Sequence, residues 1–376
     1  MKKIVAILLA AVLCLSLCAC SGGVDTGALD DILSRVQSLE AQVEELAAQK
    51  AAEAEAAAQA LEEAAAQAEA EADSEAANEI VLDAPVNVMV LNGPTGFGMA
   101  KLLSDANAGE ASLDYNITVE TDASNITAAL ISGGCDIAAL PTNAASTVFN
   151  KTEGGIQVIA LNTLGTLYVV VNTENAEITS LADLDGMTVY APAQNPSFIF
   201  RAITQAAGLD VTVDNTYAAP ADLRTALVSG EIDVAVLPEP MVTIALSSNE
   251  NLAVAVDLNA AWNETHDEGG LVMGCAVVRT AFAEEHPDAV EAFLNEYGTS
   301  IAYLQDDPAA ASELIAETGI FEKAPVALKA IPNCNVCFIA GVDMAPALTP
   351  YLQALYDLAP DSVGGAVPGE DFYFVG

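Results

Sequence analysis

Residues Ser132–Asn143 read "SGGCDIAALPTN" and residues Ser229–Pro240 read "SGEIDVAVLPEP". Leu130, Ser132, Gly133, Asp136, Leu140 and Pro141 align with Leu227, Ser229, Gly230, Asp233, Leu237 and Pro238. A short apolar run bounded by turn residues reads as a buried strand. Each copy therefore predicts a helix, a strand and a corner. The copies part company only after the proline, Thr-Asn in one and Glu-Pro in the other.

The match extends outward on both sides. Before the first copy stand "VNVMVLN" from Val86, a glycine-rich turn entering the helical "MAKLL", and the strand "YNITVET"; after it come a helix from Thr142 to Asn150 and the strand "IQVIALN". The second half runs through "MTVYAP", "NPSFIFRAITQAAG", "VTVDNTY" and "ADLRTALVSG" to its own corner. Strands alternating with helices across short turns predict an α/β fold with mainly parallel sheets, here in two similar lobes. "LNTLGTLYVVVN" (Leu161–Asn172) is long for one strand and carries Gly165 at its middle, so it reads as a first crossing with Gly165 as hinge. The return runs from Asn251 and re-enters the first lobe near Gly270; beyond Thr280 amphipathic helices are expected to pack on that lobe. The resulting boundaries are 84–165 with 268–376 for the first lobe and 166–267 for the second.

The beginning of the chain is of another kind. "MKKIVAILLAAVLCLSLCAC" has two lysines, an apolar run and a small-residue end, the layout of an export signal over residues 1–20. Its Leu17-Cys18-Ala19-Cys20 resembles a bacterial lipobox, which implies lipidation of Cys20 and an extracytoplasmic, membrane-anchored protein. Residues 21–83 are an acidic, Ala/Glu-rich stalk: a short heptad seam (Leu29, Ile32, Val36, Leu39, Val43, Leu46) leads into a run with helix propensity but no bulky core residues. A helical stalk able to self-associate and a disordered spacer both fit.

The formal charge of −42 excludes nucleic acid and anionic lipid surfaces as partners, leaving the anchor as the link to the membrane. Outside the leader the cysteines are Cys135, Cys275, Cys334 and Cys337. The first two sit in apolar runs and read as buried thiols. Cys334 and Cys337 have the spacing of a local disulfide, of two structural thiols or of a redox pair. With only His266 and His286 beside them, no metal site and no cofactor is expected.

In open α/β sheets ligands gather where strands end and helices begin, because unpaired N–H groups face one crevice there. The repeat yields four such corners: Asn92–Gly98, Pro141–Asn143, Gln194–Phe198 and Pro238–Pro240. Facing lobes bring them to one cleft.

Four stretches, "GPTGFGMAKL", "IAALPTNAA", "LNTLGTLYVVVN" and "VLPEPMVT", resemble the solute-binding proteins of ABC importers in the nitrate/taurine/aliphatic-sulfonate class, a group that includes thiamine-precursor binders. The resemblance covers Val86 to the C-terminus. It implies a type II periplasmic-binding-protein fold, two α/β lobes joined by two crossing strands, that captures a small organic solute and delivers it to a membrane permease driven by a separate ATPase. Carried onto matching positions, it implies ligand contacts at Gly93, Thr95, Gly96, Phe97, Thr142 and Asn143, and across the cleft at Asn195, Ser197, Phe198 and Glu239.

Only Lys101 and Arg201 follow a corner closely, and Glu239 opposes an anion, which favours a neutral or zwitterionic organic solute. A ligand sensor or surface interaction protein is the alternative. An enzyme on the same fold, with thiamine-pyrimidine or menaquinone-precursor chemistry, is disfavoured because no nucleophile–base pair occurs and neither histidine lies in a corner.

Overall fold

The computed structural model describes residues 80 and 82–375. The export signal, Cys20 and all but the end of the stalk lie outside the described residues. No helix among those described is long and apolar enough to cross a membrane.

The first half forms β1 (Val86–Leu91), α1 (Pro94–Phe97), α2 (Ala100–Ala108), β2 (Tyr115–Glu120), α3 (Ala123–Ser132), β3 (Ile137–Pro141), α4 (Thr142–Thr152) and β4 (Ile156–Thr163). The second forms β5 (Leu167–Asn172), β6 (Thr188–Tyr190), α5 (Asn195–Ala206), β7 (Thr212–Asp214), α6 (Pro220–Ser229), β8 (Val234–Pro238), α7 (Met241–Ser248), β9 (Leu252–Asp257) and α8 (Leu258–Thr265). The chain closes with β10 (Gly274–Arg279), α9 (Thr280–Glu285), α10 (Pro287–Asp306), α11 (Pro308–Glu317), α12 (Ala324–Ala330), β11 (Val336–Ile339) and α13 (Met344–Leu358).

The repeated phrase folds twice in the same way. Helices α3 and α6 both end at a glycine in the left-handed region, Gly133 (φ 79°) and Gly230 (φ 76°), where a side chain would be strained. Strands β3 and β8 then run for five residues with the same burial, four buried and a half-buried proline. The repeated aspartates are framework. Asp136 accepts from the Asn87 backbone N–H at 3.0 Å and pairs with Arg279 at 2.7 Å, and Asp233 accepts from Asn175 Nδ2 at 2.8 Å.

The strands make two sheets, in the order β11-β4-β10-β3-β1-β2 and β7-β6-β8-β5-β9. Strands β1–β3 are mutually parallel, as are β6–β8, in line with the alternating pattern. The two crossings produce the departure. β10 lies antiparallel between β3 and β4, and β5 lies antiparallel between β8 and β9, because each enters its sheet from the side of the other lobe. Both are buried almost throughout, which explains their continuous apolar runs; such runs do not encode direction. In register, Gly274 faces Pro141 and Leu167 faces Pro238, so each repeated corner stands beside a crossing.

Alternate residues of β5 serve different cores. Val169 and Val171 join a large apolar cluster that also holds Leu140, Leu161, Trp262 and Tyr351; Tyr168 and Val170 face a smaller one with Leu223 and Leu237. The large cluster is continuous across both sheets. A third core, with Val88, Phe97 and Tyr297, fills the other face of the first sheet. The C-terminal part does more than cover the first lobe: β11 adds an edge strand beside β4, and α13 packs against α5 of the second lobe.

Candidate ligand cleft

At the first corner, the Gly93 N–H donates to the Ile320 carbonyl at 3.2 Å, and a Cβ at Gly96 would run into the Leu91 carbonyl. Gly96 thus lets α1 sit against the end of β1. The Thr95 carbonyl accepts from Asn162 Nδ2 at 3.4 Å. Phe97 departs from expectation. It is fully buried and meets Phe321 edge-on at 6.3 Å, so its ring belongs to the first-lobe core rather than to a ligand surface.

The second and third corners are both tied to the C-terminal segment, outside the repeat. The Thr142 hydroxyl donates to the Val272 carbonyl at 2.7 Å, tying α4 to the return crossing. Asn143 Nδ2 donates to the Ser362 carbonyl at 3.3 Å. From the second lobe, Asn195 Nδ2 donates to the Tyr351 hydroxyl at 3.2 Å. Burial pushes the Tyr351 phenol up, opposed by its hydrogen bond from Asn195. Asn195 is thus tied to an α13 tyrosine whose ring packs edge-on against Trp262 at 5.5 Å, while Thr142 and Asn143 are held at Val272 and Ser362.

Just before Asn195, Gln194 holds φ 64°, a sparsely populated conformation for a residue with a side chain, so the chain is strained as it enters α5. Ser197 is buried in its own lobe, 3.5 Å from Asn215 Oδ1 and from Arg201 Nε, which takes its hydroxyl away from the other corners. Phe198 is half-buried against the shared apolar cluster.

At the fourth corner Glu239 is 3% exposed. Its carboxylate accepts from the Thr243 N–H and hydroxyl, at 3.1 and 3.0 Å, and from Asn333 Nδ2 of the C-terminal part at 3.2 Å. Burial pushes its carboxyl up, opposed by these donors. The Tyr168 hydroxyl donates to the Asn333 carbonyl at 2.8 Å, so Asn333 fastens both β5 and the Glu239 corner.

Gly165 needs glycine for space. A Cβ there would lie 2.7 Å from Asn259 Cβ and from Leu271 Cδ2. Its N–H donates to Asn259 Oδ1 at 3.2 Å and its carbonyl accepts from Asn335 Nδ2. The presumed freedom of this hinge is thus replaced by a close fit with both backbone groups held.

The local disulfide does not form. Cys334 and Cys337 are free thiols, as are Cys135 and Cys275. Cys334 is buried in the first-lobe core and Cys337 points to the Leu161 carbonyl at 3.7 Å; burial pushes Cys337 up to about 12, which makes it a poor nucleophile.

The basic residues near the corners are engaged elsewhere. Lys101 pairs with Asp105 at 2.6 Å, Arg201 donates to the Val213 carbonyl at 3.3 Å, and Arg224 points to Met241 Sδ at 3.4 Å. Arg279 holds Asp136, and Lys151, Lys323 and Lys329 are exposed.

Tyr351, Trp262 and Asn333 escaped the reading of the sequence because none belongs to the repeat. One signal was present for Tyr351. The buried stripe Met344, Leu348, Tyr351, Leu352, Leu355 has helical spacing, and a tyrosine within such a stripe needs a partner for its hydroxyl.

A family model described as "NMT1/THI5 like" matches residues 109–311. The chain belongs to the NMT1/THI5-like family. Solved structures place this family member in the periplasmic-binding-protein fold. An ABC transporter structure from Parabacteroides distasonis is 22% identical, with a TM-score of 0.67 over 77% of this chain and 99% of that one. The periplasmic aliphatic sulphonate binding protein SsuA from Escherichia coli is 17% identical, with a TM-score of 0.60 over 77% and 90%. The alkanesulfonate-binding protein SsuA from Xanthomonas axonopodis pv. citri, bound to MOPS, is 14% identical, with a TM-score of 0.55 over 77% and 95%. Among curated proteins none matches this family member.

Proposed function

We propose that the protein is the solute-binding component of an ABC importer, exported, lipid-anchored at Cys20, and delivering a small organic solute to a membrane permease. The observation that carries this reading is that Asn143 from one lobe and Asn195 from the other both bond to the C-terminal segment, at the Ser362 carbonyl and the Tyr351 hydroxyl. Corners from two lobes that are tied to one segment form a clamp, and a ligand touching both selects the closed arrangement. On this reading Gly93, Thr95 and Phe198 add to the ligand surface.

Binding without turnover is the expected activity. His266 is stacked on Trp262, with ring centroids 3.8 Å apart, and His286 lies at the start of α10, so neither faces a nucleophile at a corner.

The test is native mass spectrometry of the purified chain for a co-purifying solute, followed by calorimetry on Asn143→Ala and Asn195→Ala. Each is expected to lower affinity about tenfold, with a melting temperature lower by only a few degrees, since each also gives up one bond to the C-terminal segment. Unchanged affinity in both variants moves the site away from these corners, and chemical conversion of the bound compound replaces transport by catalysis.

A further inference from the structure

Among the described residues, three buried side-chain atoms have no hydrogen-bond partner: Asn143 Oδ1, Trp262 Nε1 and Ser362 Oγ. Buried polar atoms are nearly always paired, and each one left unpaired costs about 1–3 kcal/mol. These three belong to one neighbourhood. Asn143 donates to the Ser362 carbonyl just beyond α13, Leu140 of the strand before Asn143 shares one apolar cluster with Tyr351 and Trp262, and the Tyr351 ring meets Trp262 edge-on.

The two best-defined atoms are opposite in kind. An indole N–H can only donate. Asn143 has its amide nitrogen committed to the Ser362 carbonyl, which leaves its oxygen as a pure acceptor. A site that reads an oxyanion presents donors alone, because an acceptor aimed at an anion repels it. Here an acceptor stands in the group, the basic side chains near the corners are engaged elsewhere, and the charged residue of the second-lobe corner is the carboxylate of Glu239.

Resting on the solute-binding reading above, we propose that this cluster recognises the amide-like edge of an uncharged organic solute. A carbonyl-type oxygen or ring nitrogen accepts from Trp262 Nε1, and an N–H or O–H of the same solute donates to Asn143 Oδ1. Ser362 Oγ, whose hydrogen can rotate, serves either partner. Oxyanions are rejected, in contrast to the sulfonate named for the two SsuA structures.

Trp262 is the single tryptophan of the chain, so its emission reports on this cluster alone. The full-length protein is titrated with 2-pyridone and nicotinamide as neutral amide probes, and with ethanesulfonate and nitrate as oxyanion probes. Trp262 emission and calorimetry are read together. At least one amide is expected to give a saturable emission change and heat, and the oxyanions none. Trp262→Phe keeps an aromatic ring and removes the donor; with Asn143→Leu it is expected to weaken amide binding about tenfold or more by calorimetry, with circular dichroism and melting near those of the parent.

Amide binding that survives both substitutions overturns the proposed site. Saturable ethanesulfonate or nitrate binding without amide binding overturns the proposed class and leaves the solute-binding reading standing. Binding of none of the four overturns the inference, and a co-purifying solute in the native mass spectrum then decides the broader reading separately.

Discussion

The Tyr351 hydroxyl lies 3.2 Å from Asn195 Nδ2, joining the last long helix of the chain to the first turn of a helix rooted in the second sheet. Tyr351→Phe leaves the ring in its buried stripe and removes only the oxygen. The expected loss is about 1 kcal/mol of stability, seen in urea melts, with a several-fold weaker ligand affinity because the closed arrangement loses a tie. Equal stability and affinity in the variant would mean that this oxygen joins nothing of consequence.

Glu239 gives a pH dependence of definite sign. Burial raises its carboxyl above the ordinary 4.5, so folding favours the protonated form. Its contribution is full below that ordinary value and is lost as pH rises through the raised one. Glu239→Gln cannot ionise, so relative to the parent it is expected to gain stability as pH rises above 4.5. Urea melts at several pH values measure the difference, and a gap that stays constant with pH contradicts the assignment.

His266 titrates in the opposite sense. Burial against Trp262 lowers it below 6.5, so its contribution is present above that value and is lost as pH falls through the lowered one. A protonated imidazole stacked on an indole quenches it. The emission of Trp262 is therefore expected to fall on acidification with a midpoint below 6.5, and His266→Gln to abolish the transition. A midpoint above 6.5 rules out the buried, neutral imidazole.

The fit around Gly165 predicts a cost for one methyl group. Gly165→Ala places carbon 2.7 Å from Asn259 Cβ and Leu271 Cδ2, which requires the crossing or α8 to shift. The expected destabilisation is about 1–3 kcal/mol, typical of overpacking, by chemical denaturation. A variant as stable as the parent would show that the crossing yields easily there.

Much of the fold was legible because repetition is a long-range signal. Two copies of helix, glycine stop and five-residue strand constrain one another, and the positive φ of Gly133 and Gly230 is the physical reason both copies keep the glycine. The direction of β5 and β10 was not legible, since a strand buried on both faces reads the same either way. Of the candidate site only the corner positions were legible: Asn143 and Asn195 do stand in the first turns of α4 and α5. It was misread where a side chain had two possible destinations: Phe97 went to the core, and Ser197 to Asn215 and Arg201. Tyr351 and Asn333 stayed hidden because their partners lie 156 and 94 positions away, a separation no local pattern records.

The pairing of the two crossings also orders the birth of the molecule. All five strands of the second sheet fall within one unbroken stretch, and its entering and leaving strands sit side by side, Tyr168 opposite Asp257. The first sheet has no such continuity. Its inner strand β10 begins at Gly274, after the whole of the other body has been made. A chain emerging from its N-terminal end can therefore complete the second body while the first still gapes between β3 and β4. The half that starts earlier is sealed later, and a helper that guards unpaired strand edges would be needed there longest.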